Sequence, residues 1–136
     1  MLFVLFNIGA TGFVVAHELF HRSDPVDKFI GTAHMLKNLY LHLAIEHIHG
    51  HHKRVATPED GATALRGMSI YKFIPRAVYK IYCSAYNLNT WFVRISTISY
   101  FLVLLGVYYL FGLAGFGFFL LIAIGSVIYL ETTSYI

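Results

Sequence analysis

The sequence has a single cysteine, Cys83, among its 136 residues. One thiol excludes an internal disulfide framework, and it also excludes iron–sulfur and zinc sites built from several cysteines. We interpret Cys83 as an ordinary packed thiol. A site with several ligands in this chain must therefore use other side chains.

Charge is also scarce, since only 12% of the residues are charged while 57% are hydrophobic. This balance is unusual for a soluble domain of this length and is typical of a membrane protein. Six of the ten Lys and Arg residues fall in one segment: Lys53, Arg54, Arg66, Lys72, Arg76 and Lys80. The positive-inside rule predicts that this segment faces the cytoplasm. Without a soluble basic domain, the net charge of +3 gives no support for nucleic-acid binding.

Uncharged residues fill the longest apolar run, which lies between Arg94 and Glu131. As one straight helix it would extend for about 54 Å, whereas the hydrocarbon core of a bilayer is roughly 30 Å thick. A glycine-containing tetrapeptide, GLAG, occupies positions 112–115 in the middle of the run. The sequence therefore predicts a helical hairpin over 93–112 and 115–135.

The remaining segments predict an all-α, multi-pass membrane bundle. Residues 1–22 are expected to form a membrane helix, because the basic region of a signal peptide is missing. Pro25 follows the turn that ends this helix. A second helical stretch is predicted over 27–50, interrupted by Lys37 and Asn38, and it is expected to pack against the first.

Residues 53–68 contain Pro, Gly and several charges, and they predict a cytoplasmic loop. In residues 69–86, apolar side chains recur at helical spacing with basic residues between them. That pattern predicts an amphipathic helix at the membrane surface, within a cytoplasmic-loop and interfacial-helix region that covers 53–86.

All eight histidines lie between positions 17 and 52. The sequence HELFH places His17 and His21 four residues apart, and His47 and His51 repeat that spacing. Helical residues at this spacing share a face. Since buried imidazole nitrogens must find partners, two such arrays in an apolar chain favour a shared metal site. His34, which stands alone, is interpreted as an ordinary core residue.

The motif HELFH also matches the pattern of zinc proteases, in which Glu18 would be the general base. A catalytic zinc needs three protein ligands, and the second cluster, EHIHGHH at 46–52, supplies more than one zinc requires. The excess favours a polynuclear site, although imidazole ligands alone do not distinguish iron from copper, zinc or nickel. A membrane zinc metalloprotease remains the alternative.

Several stretches resemble the integral-membrane alkane 1-monooxygenases of the membrane fatty-acid desaturase and hydroxylase superfamily. They are HELFHR (17–22), HLAIEHIHGHHKRVATPED (42–60) and GMSIYKF (67–73). The second histidine box of that family, E-H-x-x-G-H-H, is matched by Glu46, His47, Gly50, His51 and His52. The closing LETTSYI (130–136) is similar to the approach to the family motif N-Y-x-E-H-Y-G, with Ser134 where the family has Asn.

The resemblance implies a site for two non-haem iron ions. Its expected ligands are His17, His21, His47, His51 and His52. Glu18, His42 and Glu46 are expected to support these ligands by hydrogen bonds. His49 stands where the family has a basic or polar residue, and we treat it as an extra histidine.

The implied reaction uses O₂ to convert the terminal methyl of an alkane or alkyl group, delivered from the bilayer, into a primary alcohol. A rubredoxin-like protein would supply electrons, and Lys53 and Arg54 are candidate docking residues beside the second box. Contact of this basic segment with anionic membrane lipid is the equally weighted alternative. The protein is expected to cross a membrane several times, and the bacterial inner membrane is favoured. The histidine boxes are expected on the cytoplasmic side.

The resemblance further implies that residues 1–136 are part of a single hydroxylase domain, truncated before the third histidine box of the family. Such a fragment is expected to be inactive alone. A truncated, non-catalytic membrane subunit is the non-enzymatic alternative.

Overall fold

The structure is a computed structural model that describes residues 2–135, with side chains described from Thr11 onward. Met1 is the first residue of the predicted first helix, and Ile136 is the last residue of the LETTSYI stretch. Both lie outside the described residues. The elements are α1 (Leu2–Phe20), α2 (Pro25–Lys37), α3 (Leu43–Glu46), a π-helical turn (His47–His51), α4 (His52–Arg54), α5 (Ile70–Leu88) and α6 (Thr90–Tyr135). The expected all-α fold is confirmed, and no strand occurs in residues 2–135.

Two helices replace the interrupted stretch predicted over 27–50. The first, α2, begins where the Asp24 side chain accepts a 2.7 Å bond from the backbone N–H of Val26, with Pro25 at its first position. It ends at Lys37, and Leu39 takes a positive φ of 54°. This left-handed residue reverses the chain before α3 starts at Leu43, so that the second histidine box belongs to a separate helical segment.

Between α3 and α4 the helix widens into the π-helical turn. The backbone N–H of His52 bonds the carbonyl of His47, five residues earlier. Gly50 permits close packing here, since a Cβ at this position would collide with the Glu46 carboxylate and the Arg54 guanidinium. Single π-turns inside α-helices are frequent at functional sites.

Helix α6 is interrupted at Gly112, whose φ of 66° and ψ of −169° are not helical. Glycine adopts positive φ at little cost, which explains why the break falls within the GLAG tetrapeptide. Tyr100, before the break, contacts His42, and Glu131, after it, contacts Tyr40. The two arms of α6 therefore both reach the turn between α2 and α3.

By length and composition, α6 is long and apolar enough to cross a membrane. Many of its large apolar side chains are exposed, among them Phe101, Leu110 and Leu113. A soluble protein rarely exposes so large an apolar surface, and the fold fits a membrane protein.

The core lies where α1, α2 and α5 meet. Phe13 from α1 and Met35 from α2 are buried there, together with Phe73 and Ile81 from α5. Burying a large apolar side chain contributes about 1.5–3 kcal/mol. This packing holds the C-terminal end of α1 beside the second histidine box.

Candidate metal centre

Four imidazoles converge at the end of α1 and the π-helical turn. His17, His21, His47 and His52 each offer one ligand atom, and these atoms all lie within 4.8 Å of one another. The His17 and His47 ring centroids are 4.5 Å apart, and the His21 and His52 rings stack at 5.1 Å. Both predicted histidine boxes thus contribute to one cluster, which we call the four-histidine cluster.

The local helix geometry explains which histidines join the cluster. On α1, the spacing of four brings the His17 and His21 rings to 4.9 Å, as the sequence predicts. In the second box the π-turn adds a residue to the helical repeat, so residues five apart share a face. His47 therefore pairs with His52, and their Nε2 atoms are 2.9 Å apart.

The geometry of the cluster fits a bound metal ion. Two imidazole nitrogens at about 2.1 Å from one ion, at right angles to each other, would be about 3.0 Å apart, close to the separation of the His47 and His52 Nε2 atoms. Burial, followed by the neighbouring histidines, lowers the pKa of His47 to about 3. The neutral imidazole is the form that binds a metal, and His47 holds that form at physiological pH.

His51 is not one of the four, although the i, i+4 spacing places it beside His47. Its Nδ1 lies 2.9 Å from Oδ2 of Asp60, whose side chain is fully buried. The backbone N–H of Ala62 and the hydroxyl of Thr63 also donate to Asp60. When Nδ1–H donates to this carboxylate, Nε2 of His51 keeps its lone pair for a ligand.

Asp60 is a site residue that the sequence analysis does not single out, although it ends the ATPED run after the second box. A carboxylate soon after a histidine-rich helix could have indicated a partner for an imidazole.

Glu46, a predicted supporting residue, is completely buried. Its Oε1 accepts hydrogen bonds from Arg54 (3.2 Å) and Ser84 (3.1 Å). Within the described residues its Oε2 has no hydrogen-bond partner. Burial raises the pKa of Glu46, with opposing contributions from Ser84 and Arg54. These two hydrogen bonds join Glu46 to α4 and α5.

The other predicted supporting residues lie apart from the cluster. Glu18 is exposed, and its carboxylate is 4.0 Å from Arg22. His42 is buried, and its Nδ1 lies 3.0 Å from the Tyr100 hydroxyl. Burial lowers the pKa of His42 to about 4. His49, treated as an extra histidine, is exposed.

The two candidate docking residues differ in their surroundings. Lys53 is exposed, whereas the guanidinium of Arg54 is directed at Glu46 and Ser84. Further along the basic segment, Arg76 donates to the carbonyl of Thr63 and Lys80 to that of Pro58. These contacts fix the loop that carries Asp60.

A cavity of about 250 Å³ adjoins the cluster. His17, His47 and His51 line it on one side, together with Glu46 and Glu131. Glu131, on the second arm of α6, is 1% exposed. The remaining lining residues are largely apolar and include Phe13, Val14, Phe20, Met35, Leu43, Ala44, Ala62, Ile81 and Leu130.

Several known proteins are similar to part of this chain. Alkane 1-monooxygenase 1 of Pseudomonas aeruginosa is 42% identical over 85 residues, covering 62% of this chain and 21% of that protein. Alkane 1-monooxygenase of Acinetobacter baylyi is 43% identical over 75 residues, which are 55% of this chain and 18% of that protein. Alkane 1-monooxygenase of Ectopseudomonas oleovorans is 40% identical over 73 residues, which are 54% of this chain and 18% of that protein. The chain thus spans about a fifth of the length of these relatives.

The family described as Fatty acid desaturase matches residues 1–90. The match includes both histidine boxes and Asp60, and it confirms the family resemblance drawn from the sequence. With 90 of its 136 residues matched, this chain belongs to the fatty acid desaturase family.

Proposed function

We propose that the protein to which this chain belongs is a di-iron membrane monooxygenase that hydroxylates the terminal methyl of alkanes or alkyl groups. The observation that carries the proposal is the meeting of four imidazoles from two histidine boxes. The relatives that match are named alkane 1-monooxygenases, which supports the same reaction class. They do not favour the zinc metalloprotease alternative.

The four-histidine cluster would hold one iron through His17, His21, His47 and His52. His51, oriented by Asp60, would bind a second iron together with histidines from elsewhere in the whole protein. When bound, the two irons would supply the activation of O₂ that an unreactive methyl group requires.

The chain's own residues would supply the surroundings for this chemistry. Neutral imidazoles would add no negative charge to the site, and within this chain three of the four, His17, His21 and His52, are exposed. The apolar walls of the adjoining cavity, such as Phe13 and Leu43, would bind a hydrocarbon chain and exclude water. A substrate dissolved in the bilayer would reach this cavity between the helices.

For the membrane arrangement we propose a multi-pass protein, in which α1 and the two arms of α6 span the bilayer. The arms would form a hairpin around Gly112, and α5 would lie along the interface. The basic segment beside the second box would face the cytoplasm of a bacterial cell, following the positive-inside rule. All of residues 1–136 would belong to a single hydroxylase domain.

Electrons would come from a rubredoxin-like donor with an acidic surface. Lys53 is exposed next to the second box and could attract such a donor by electrostatic steering. Arg54 contributes less to this surface, because its guanidinium pairs with the buried Glu46.

The proposal is tested with the whole protein in its native membrane, purified with and without added iron. We expect about two irons per chain and formation of a primary alcohol from an alkane when O₂ and a reduced rubredoxin are supplied. One zinc with peptidase activity would support the metalloprotease instead. A protein that binds no metal would support a non-catalytic subunit.

A further inference from the structure

Glu131 is an acidic residue in an otherwise uncharged stretch of α6, and it is 1% exposed. An ionisable group at such a place is costly and is generally kept for a function. Its Oε1 accepts a 2.9 Å hydrogen bond from the hydroxyl of Tyr40, which is itself 2% exposed. Its Oε2 is buried and has no hydrogen-bond partner among the described residues.

The unpartnered oxygen belongs to a residue that lines the same cavity as His17, His47 and His51. A buried polar atom without a partner costs a few kcal/mol, so a ligand that supplies a hydrogen bond there is favoured. Since Tyr40 already occupies Oε1, Oε2 is the atom that remains for such a ligand.

Glu46 also lines the cavity with an unpartnered Oε2, but its environment differs. The guanidinium of Arg54 and the hydroxyl of Ser84 both donate to Glu46 and draw negative charge away from its free oxygen. Among the described residues, Glu131 has only the neutral hydroxyl of Tyr40 as a hydrogen-bond partner. Its Oε2 is therefore less constrained by neighbouring groups than that of Glu46, and it can exchange a hydrogen bond with a ligand.

The rest of the cavity wall determines the kind of ligand. Apolar side chains such as Phe13, Met35 and Ile81 suit a hydrocarbon chain, while the carboxyl group of Glu131 requires a hydrogen-bonding partner. An alkane would pack against the apolar walls but would leave the carboxyl group without a hydrogen bond. A primary alcohol satisfies both, because its hydroxyl can donate to Oε2 while its alkyl chain packs against the walls.

We propose that Glu131, oriented by Tyr40, binds the hydroxyl of a primary alcohol in the cavity beside the histidine cluster. This inference rests on the proposed function, in which such an alcohol is the product. The protein then holds its product more tightly than the alkane, and release of the alcohol requires loss of the hydrogen bond to Glu131. The residue acts in binding and orientation.

The test uses the whole protein in lipid nanodiscs, freed of metal by chelation so that no turnover occurs. Binding of 1-octanol and of octane is measured for wild type, Glu131→Leu and Glu131→Gln. The partition of each ligand into the bilayer is the same for all variants, so changes in the octanol-to-octane affinity ratio report on residue 131. We expect the ratio to fall about tenfold in Glu131→Leu, as for loss of a charged hydrogen bond, and less in Glu131→Gln.

Two further variants keep the test decisive. Tyr40→Phe, which leaves the carboxyl group in place but unoriented, should lower the ratio by an intermediate amount even if Glu131→Leu folds poorly. Glu59→Gln, on an exposed loop residue, should leave the ratio unchanged. A ratio unaffected by all changes at residues 131 and 40 would overturn the proposal. So would Mn²⁺ binding in wild type that Glu131→Gln removes without affecting octanol binding, since that result assigns Glu131 to a cation.

Because no turnover is measured, failure of this inference is distinct from failure of the proposed function. A ratio that stays unchanged in the Glu131 and Tyr40 variants, together with normal alkane hydroxylation by the iron-loaded wild type, rejects only the role of Glu131. Octanol preference without any hydroxylation rejects only the proposed reaction.

Discussion

Asp60 holds His51 by a 2.9 Å contact between its Oδ2 and Nδ1 of the imidazole. The carboxylate is completely buried, and the backbone N–H of Ala62 also donates to it. The loop after the second histidine box is therefore folded around a residue that selects the tautomer of a predicted ligand. Carboxylates in this role raise the basicity of the liganding nitrogen.

Asp60→Asn is expected to lower the iron affinity of the whole protein about 10- to 100-fold, because the amide no longer selects the His51 tautomer. Iron binding is measured by competition with a chelator, and thermal unfolding of the metal-free protein checks the fold. Glu59→Gln, the exposed neighbour, serves as the control and should bind iron normally. Equal iron affinity in Asp60→Asn and Glu59→Gln would show that Asp60 only stabilises the loop.

Gly50→Ala tests the close packing inside the π-helical turn. The added methyl would meet the buried Glu46 carboxylate and the partly exposed Arg54 guanidinium, which are hydrogen-bonded to each other. We expect the free energy of unfolding of the metal-free protein to fall by about 1–3 kcal/mol, as for other overpacked sites. Gly106→Ala on α6 is the matched control, since a Cβ there has nothing within 4 Å. That change should be neutral or slightly stabilising, and an equal loss in both variants would contradict the packing argument.

Local sequence signals predicted much of the architecture. The uncharged run and its GLAG tetrapeptide predicted two helical arms joined near residues 112–115, and the structure has a non-helical Gly112 inside α6. Regular spacing on α1 predicted that His17 and His21 share a face, and their rings lie 4.9 Å apart. Such features depend on residues a few positions apart, which a sequence displays directly.

Other features depend on backbone detail or on distant contacts. The π-turn exchanges His52 for His51 in the four-histidine cluster, and a regular α-helical repeat could not predict this. Leu39 divides the predicted helix over 27–50 although leucine rarely adopts a positive φ. The bond between Tyr40 and Glu131 joins residues 91 positions apart, so only the folded chain reveals it.

Lys53 and Arg54 are adjacent, yet charge reversal should affect them differently. Lys53→Glu is expected to weaken binding of a rubredoxin-like donor up to about fivefold at low salt, with unchanged stability, because Lys53 is exposed. Arg54→Glu is expected to reduce the free energy of unfolding by at least about 2 kcal/mol, because it places a second carboxylate beside the buried Glu46. Donor titrations at low and high salt and denaturant unfolding measure the two effects. Donor affinity that is insensitive to Lys53→Glu would reject docking at this position.

Buried His42 should make stability depend on pH. The Tyr100 hydroxyl accepts a bond from the backbone N–H of His42 and lies 3.0 Å from its Nδ1, and Tyr82 packs against the ring. Burial lowers the pKa of His42 from its ordinary 6.5 to about 4, so the folded state binds fewer protons than the unfolded state between these values. The contribution of His42 to the free energy of unfolding is therefore fully present above pH 6.5. It is lost as the pH falls towards 4, by up to about 3 kcal/mol. We expect His42→Gln to show a smaller fall than wild type in metal-free protein, where the other histidines titrate equally in both. Parallel stability curves for the two proteins would mean that His42 is not the group responsible.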